Sequence, residues 1–400
     1  MDANWKPDRD DIISATAKSL LERSQRPFYE NLRGFRYSPS DVPDDVFVWV
    51  KHSFGGEPLR CEANTQYFVH NEISKMDDAT RRTYRVPKVF DFFEAEIDEL
   101  PYGILVMEYV TGVPVSGVLR DIRRQNAEHR ERGVSLVKGS ASDDSLQQHQ
   151  EQEHQQGRHN KMTSGTQQGG QETTENPLAQ PPQEQEHSER QDVEDAQETC
   201  EEHPKNDQQN NKEDEQKRIL DGELLPLKNR VADAICFLLS LPKPPDTRPG
   251  PAGGGRIKHW TFGRDESDAP HEFSDVEHLQ TYVNEKISET FPDLPPARFV
   301  HEGLRLCYCD LNFDNFLLED AEDPSGRIII IDFEHASWLP YSFLTWEAWD
   351  KREFAMEERI RSRCGLELNR DNVYALYALL RQREWDSAIT ISPSPSGAAV

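Results

Sequence analysis

The sequence predicts an α+β fold in two lobes, interrupted by a long polar insertion. Short apolar, β-branched and aromatic runs surround one amphipathic stretch ahead of residue 110, helical periodicity dominates after residue 219, and apolar patterning stops between residues 125 and 218. The composition agrees: 35% of the 400 residues are hydrophobic, low for one compact body, so part of the chain is expected to stay outside any core.

The first lobe is expected over residues 1–110, as strands around one helix. Asp44–Lys51 (DDVFVWVK) reads as a strand after Pro43, and Pro58–Lys75 as a helix with Leu59, Ala63 and Val69 among its apolar positions. Pro87–Phe93 and Gly103–Val110 (GILVMEYV) are further strands; Thr111-Gly112 stops the second, with Pro114 just beyond. The second lobe is expected over 111–124 and 219–388. Leu224, Leu227, Val231, Ile235 and Leu238 fall at helical spacing, and the stretch PKPPDTRPGPAGGGR that follows reads as a turn. Its three glycines lack the Lys-Ser/Thr of a phosphate-binding loop. Val276–Ile287 is a helix, and Arg305–Cys309 and Arg327–Ile331 are strands flanking a loop. Helical patterns resume over 343–364 and 371–383, and 389–400 reads as a flexible tail.

Residues 125–218 are rich in Gln, Glu, Ser, Gly and Pro and contain no aromatic residue. Such a tract cannot bury enough apolar surface to offset an ordering cost of about 1–2 kcal/mol per residue, so a disordered insertion is expected there. A Gln-rich segment can also serve as an interaction element, which makes a protein partner one expectation for it. It holds 21 acids and 10 bases, hence −11 of the formal net charge of −27; the rest of the chain is acidic too. That balance argues against a nucleic-acid partner.

The N-terminus MDANWKPDRDD has no apolar signal core, and no stretch approaches the roughly 18 apolar residues of a membrane span, so a cytoplasmic protein without a membrane partner is expected. The six cysteines show no CxxC pair and no zinc-like spacing; reduced thiols are expected, with Cys307 and Cys309 as small buried hydrophobes.

The chemistry-bearing segment is CYCDLNFDNFLLEDAEDPSGRIIIIDFEHA. Asp310 opens a D-x-x-x-x-N unit that ends at Asn315; a short strand, a polar turn and the β-prone RIIII follow, and the second strand ends at Asp332. A hairpin of these strands places Asp310 and Asn315 opposite Asp332, converging hard oxygen donors of the kind that suit Mg²⁺. Phosphoryl transfer also needs a cation on the phosphates. Lys51, at the end of VFVWVK, can point inward from a rigid sheet, and Glu62 on the following helix can pair with it; each alone also reads as an ordinary surface residue. The run ILVMEYV suits either an internal strand or a connector whose backbone at Glu108 and Val110 meets an adenine edge, with Met107 beside the ring. Trp338, Tyr341, Phe343, Trp346 and Trp349 can either line an acceptor pocket or pack the core.

The order VFVWVK, a Glu-bearing helix, ILVMEYVTG, DLNFDNFLL and IDFE resembles the aminoglycoside phosphotransferase-like (choline-kinase-like) branch of the protein-kinase-like folds, over about Val46–Val110 and Leu224–Leu344. PGPAGGGRIKHWTFGRDE is similar to uncharacterised fungal members of that branch. The resemblance implies ATP and Mg²⁺ as cofactors and a small-molecule hydroxyl acceptor. It assigns Lys51 to the ATP phosphates, Glu62 to holding Lys51, Glu108 and Val110 to the adenine hinge, Asp310 to base catalysis, and Asn315 and Asp332 to Mg²⁺. Glu334 stands where protein kinases carry Gly, which tilts the reading from a protein kinase to a small-molecule one, as does the missing A-P-E segment. The chain departs from the family at Tyr308, where His is usual, and in offering only Gly34 for a phosphate-covering hairpin. The alternative reading is a pseudokinase-type nucleotide-binding or interaction module with little or no catalysis.

Overall fold

The structure, a computed structural model, describes residues 5–24, 34–40, 46–140, 206–264, 267–320, 323, 326–350 and 356–391, with backbone alone over 129–140, 206–221, 223, 350 and 386–391. The chain divides into two units, 1–124 with 220–400, and 125–219. In the second unit the backbone is helical over 125–140 and 206–219. The expected disordered insertion thus carries helix at both ends, and its remaining residues, 141–205, lie outside the described ones.

The first lobe belongs to the larger unit. Helix α1 (Arg9–Ser24) is followed by β1 (Gly34–Tyr37), β2 (Val48–Phe54), α2 (Glu57–Lys75), the short α3 (Asp78–Thr83), β3 (Tyr84–Arg85), β4 (Val89–Ile97) and β5 (Leu100–Glu108). Four strands form an antiparallel sheet in the order β1-β2-β5-β4. Period-2 alternation sorts its two faces. Val48, Val50, Ile104 and Val106 pack with Ile12 of α1, whereas Leu105 and Met107 pack with Leu59 and Ala63 of α2. Helix α1 was not expected; its polar stripe is broken and only Ile12 and a few neighbours mark its buried face. Arg9 clips it to the sheet through Asp91 at 2.7 and 3.0 Å. Helix α2 has Pro within its first two positions, Glu57 in the first turn and Lys75 in the last, each favourable at its end.

The second lobe supplies β6 (Val113–Pro114), α4 (Val115–Ser140), α5 (Asn206–Leu239), α6 (Val276–Thr290), β7 (Arg305–Tyr308), β8 (Phe316–Leu318), β9 (Ile328–Ile330), β10 (Ala336–Leu339), α7 (Tyr341–Asp350), α8 (Met356–Cys364) and α9 (Arg370–Ile391). The fold is therefore α+β. Strands β8 and β9 form the expected hairpin, flanked by β3 and β6, while β7 pairs with β10. The helical stretch expected over 343–364 is two helices, and 351–355 lie outside the described residues. Helix α9 reaches Ile391, so it takes in the first residues of the expected tail.

One expectation is corrected here. Cys236 and Cys364 form a disulfide between α5 and α8, 128 residues apart, rather than staying reduced, because helix packing brings their Cα atoms to 5.5 Å. Cys61, Cys307 and Cys309 are free and buried. Trp338, Phe343 and Trp346 are 2% exposed or less and belong to the second-lobe core, with Trp349 packed against it. Among the described residues, no helix is long and apolar enough to cross a membrane.

Candidate active site

Lys51 lies within β2, not at its end, and alternation turns it to the α2 side of the sheet. On α2, Leu59, Glu62, Ala63 and Gln66 recur at i, i+3, i+4 and i+7 and form the face toward the sheet. The Lys51 Nζ donates to Glu62 Oε2 at 2.7 Å and to Asp332 Oδ1 at 2.9 Å. Burial works to lower the Lys51 pKa, but the carboxylates of Glu62, Asp332 and Glu334 outweigh it, so the ammonium is held charged. Glu62 is wholly buried, and burial pushes it up to about 7 against the pull of Lys51. Gln66 donates to the Pro87 carbonyl at 2.9 Å and touches the Met107 sulfur, tying the helix to the end of β5.

The β8–β9 hairpin does what its sequence implies. Phe316 pairs with Ile330, and the Ile331 amide donates to the Asn315 carbonyl at 3.0 Å, so the residues on either side of the hairpin meet. Asp332 follows at φ 60°, in the left-handed region, an uncommon conformation for a residue with a side chain and one that clusters at functional sites. Tyr308, two residues before Asp310, is buried between Phe316 and Phe333. Its hydroxyl donates to the Ile331 carbonyl at 2.5 Å, which anchors the residue before Asp332. Burial, then the charges of Asp332 and Asp310, hold this phenol well above its ordinary pKa, so it remains a donor.

These groups border one cavity of about 560 Å³. Lys51, Glu62, Met107, Glu108, Val110, Asp310 and Asp332 line it. Asn315 lies just behind, buried, with its Nδ2 3.4 Å from the Asp310 carbonyl. The Glu108 side chain is committed elsewhere: it accepts from Arg85 at 2.7 Å and from the Lys88 amide at 3.1 Å, and its own amide donates to the Lys88 carbonyl. Of its polar groups, the side chain and the amide are thus engaged within the first lobe. Gly34 also borders the cavity; residues 25–33, where a covering loop would precede it, lie outside the described residues.

The acids of the cavity are mostly compensated. Glu62 and Asp332 share Lys51, Glu108 faces Arg85, and Glu334 faces Lys258. Among the described ion pairs none includes Asp310; its Oδ1 accepts the Asn312 amide at 3.2 Å. The donors fit a hard cation: one carboxylate from Asp332 and an amide oxygen from Asn315, with remaining ligands from water and phosphate. Among the described residues, no group of three or more His, Cys, Asp and Glu could hold a metal ion.

Sequence reasoning missed Lys258, Trp260 and His335. The aromatic lining comes from Trp49, Tyr109 and Trp260, with Trp260 stacked on His335 at 4.6 Å, and not from Trp338, Tyr341, Phe343, Trp346 or Trp349. Lys258 and Trp260 follow a Gly/Pro stretch with no periodic pattern, so little in the sequence could have placed Trp260 on the cavity or Lys258 beside its lining Glu334.

A paired lysine and glutamate on a strand and the next helix, opposite a hairpin bearing an aspartate at each side, is the arrangement of kinases. The fold that holds it is α+β. No family model and no curated protein sequence matches the chain. Among solved structures it is similar to the aminoglycoside phosphotransferase APH(4)-Ia in complex with AMP-PNP and hygromycin B, at 13% identity and TM-score 0.37, covering 94% of this chain and 95% of that one. It is also similar to a microcompartment-associated aminopropanol kinase, at 10% identity and TM-score 0.37, covering 96% and 91%. An aminoglycoside phosphotransferase from Alicyclobacillus acidocaldarius gives 12% identity and TM-score 0.31, covering 94% and 91%. At such scores the functional reading rests on the geometry of this chain.

Proposed function

We propose that the chain is an ATP-dependent phosphotransferase that moves the γ-phosphoryl group to a hydroxyl of a small-molecule acceptor. The observation that carries this is the Lys51 ammonium held between Glu62 and Asp332, at 2.7 and 2.9 Å, on the wall of a cavity that Asp310 also lines. Lys51 grips the phosphates, and Glu62 keeps it aimed. The apolar side of Met107, with the Glu108 carbonyl and Val110 amide, receives the adenine. Asp332 and Asn315 would hold Mg²⁺, which when bound neutralises phosphate charge.

Asp310 orients the acceptor hydroxyl and takes its proton. The acceptor oxygen forms a bond to the γ-phosphorus as the bridging bond to the β-phosphate breaks, and ADP leaves. Asp310 lines the cavity, and the Asn312 amide, donating to its Oδ1 at 3.2 Å, orients the carboxylate for that role. Base catalysis of this kind is worth about 10²–10⁴-fold. Asp310→Asn should therefore lower Mg·ATP turnover by about that factor with an unchanged melting temperature; undiminished turnover would sink the mechanism. A wild type that is stabilised by Mg·ATP yet transfers nothing would instead support a nucleotide-binding module.

A further inference from the structure

We propose that Gly250–Phe262 is a positioning strap that sets helix α2, and with it Glu62, from the second lobe; the proposal rests on the phosphotransfer reading only for its catalytic consequence. Helix α2 has two contact faces. Leu59, Glu62, Ala63 and Gln66 face the sheet. A second i, i+3, i+4, i+7 set, Cys61, Asn64, Thr65 and Phe68, is offset by two residues and so lies on a different side. This second side meets the strap. The Ala252 amide donates to the buried Thr65 Oγ1 at 3.1 Å, while that hydroxyl donates to the Cys61 carbonyl at 2.9 Å. Phe68 meets Trp338 edge-on at 5.5 Å.

The glycines explain how close the strap comes. Gly253 and Gly255 have φ 87° and 118°, and a Cβ on them would lie 2.9 Å from the Asn64 amide nitrogen and 2.5 Å from the Cys61 sulfur. At Gly253 and Gly255 the positive φ and this close approach together favour a residue without a side chain. The strap is anchored at both ends. Gly250 exchanges backbone hydrogen bonds with Trp338 of β10, at 3.2 and 2.7 Å. Downstream, Lys258 pairs with Glu334, Trp260 stacks on His335, and the wholly buried His259 reaches the Phe343 carbonyl. Glu334 and His335 are two and three residues beyond Asp332, so one segment touches both the helix that carries Glu62 and the turn that carries Asp332. Thr65 and Gly255 are thus positioning residues: they act on Lys51 through Glu62.

The test uses the full chain with Mg·ATP and compares wild type with Thr65→Val, Thr65→Ser and Gly255→Val. Three quantities are read: turnover per folded molecule, amide hydrogen exchange across Glu57–Lys75, and melting temperature. Thr65→Val should speed exchange over α2 and lower turnover about tenfold, Gly255→Val should lower it about 100-fold, and Thr65→Ser should keep both near wild type. Thr65→Val keeps the test decisive if Gly255→Val fails to fold. A lower melting temperature with wild-type turnover and wild-type exchange over α2 would overturn the strap and leave a merely structural loop. If the wild type shows no turnover, the phosphotransfer reading falls alone, because the exchange measurement still decides the strap.

Discussion

The two walls of the cavity hold their charges in opposite ways. On the first-lobe side, the side chains of Lys51 and Glu62 are 9% and 0% exposed, and the surrounding sheet and helix leave them little freedom. On the second-lobe side, the Asp332 side chain is 35% exposed and sits on a turn after β9. A buried pair with one hydrogen-bonded geometry acts as a fixed reference, whereas a half-exposed carboxylate on a turn can exchange a lysine for another cation at small desolvation cost. Under the proposed reaction the contrast divides labour: the first wall holds the phosphates at a fixed place, and the second handles the metal ion and the acceptor.

Paired substitutions test that division most severely. Lys51→Met should abolish turnover and also destabilise the fold by about 3–5 kcal/mol, because it leaves Glu62 buried without its partner. Asp332→Asn should cost comparable turnover while leaving the urea midpoint near that of the wild type. Equal stability losses in the two variants would erase the distinction between the walls.

Next in size is the anchor behind the second wall. Tyr308→Phe removes the donor to the Ile331 carbonyl and should cost about 1–3 kcal/mol, with a fall in turnover as the Asp332 turn loosens. Unchanged stability together with unchanged turnover would mean that the hydroxyl is not what holds the turn.

A smaller effect concerns the strap. Burial, with the neighbouring His335, pushes His259 down to about 3, against the pull of the Phe343 carbonyl. Between pH 6.5 and about 3 the unfolded chain binds a proton that the folded chain refuses, so this part of the stability is present above pH 6.5 and lost as pH falls. Denaturant midpoints at pH 7 and pH 5 should drop less in His259→Phe than in the wild type; an identical drop would remove His259 from the acid sensitivity. The smallest effect lies far from either wall. Arg9→Ala breaks the exposed pair with Asp91 and should change stability by less than about 1 kcal/mol, with full turnover.

The second wall was legible because its parts are local. Asp310, Asn315, two short strands and Asp332 span 23 residues, and a hairpin is the one closure that such apolar runs around a polar turn favour. Lys51 and Glu62 were legible for a similar reason, since strand alternation and helical spacing over 12 residues set their faces. Helix α1 was missed because its pattern is weak, and the aromatic residues after Asp332 packed the core because five large rings in 12 residues serve a helix interior better than a wet cavity.

The sequence by itself determined the composition of the site: which oxygens, which amine and which strands present them, since these follow from periodicities a few residues long. Tertiary structure alone decided the meetings across distance, 281 residues from Lys51 to Asp332, 187 from Thr65 to Ala252 and 128 between the bonded cysteines. Local patterns set which face a side chain presents, but the partner of that face is chosen by packing, where close backbone approach at Gly253 and Gly255 and desolvation of Glu62 select one arrangement over its competitors.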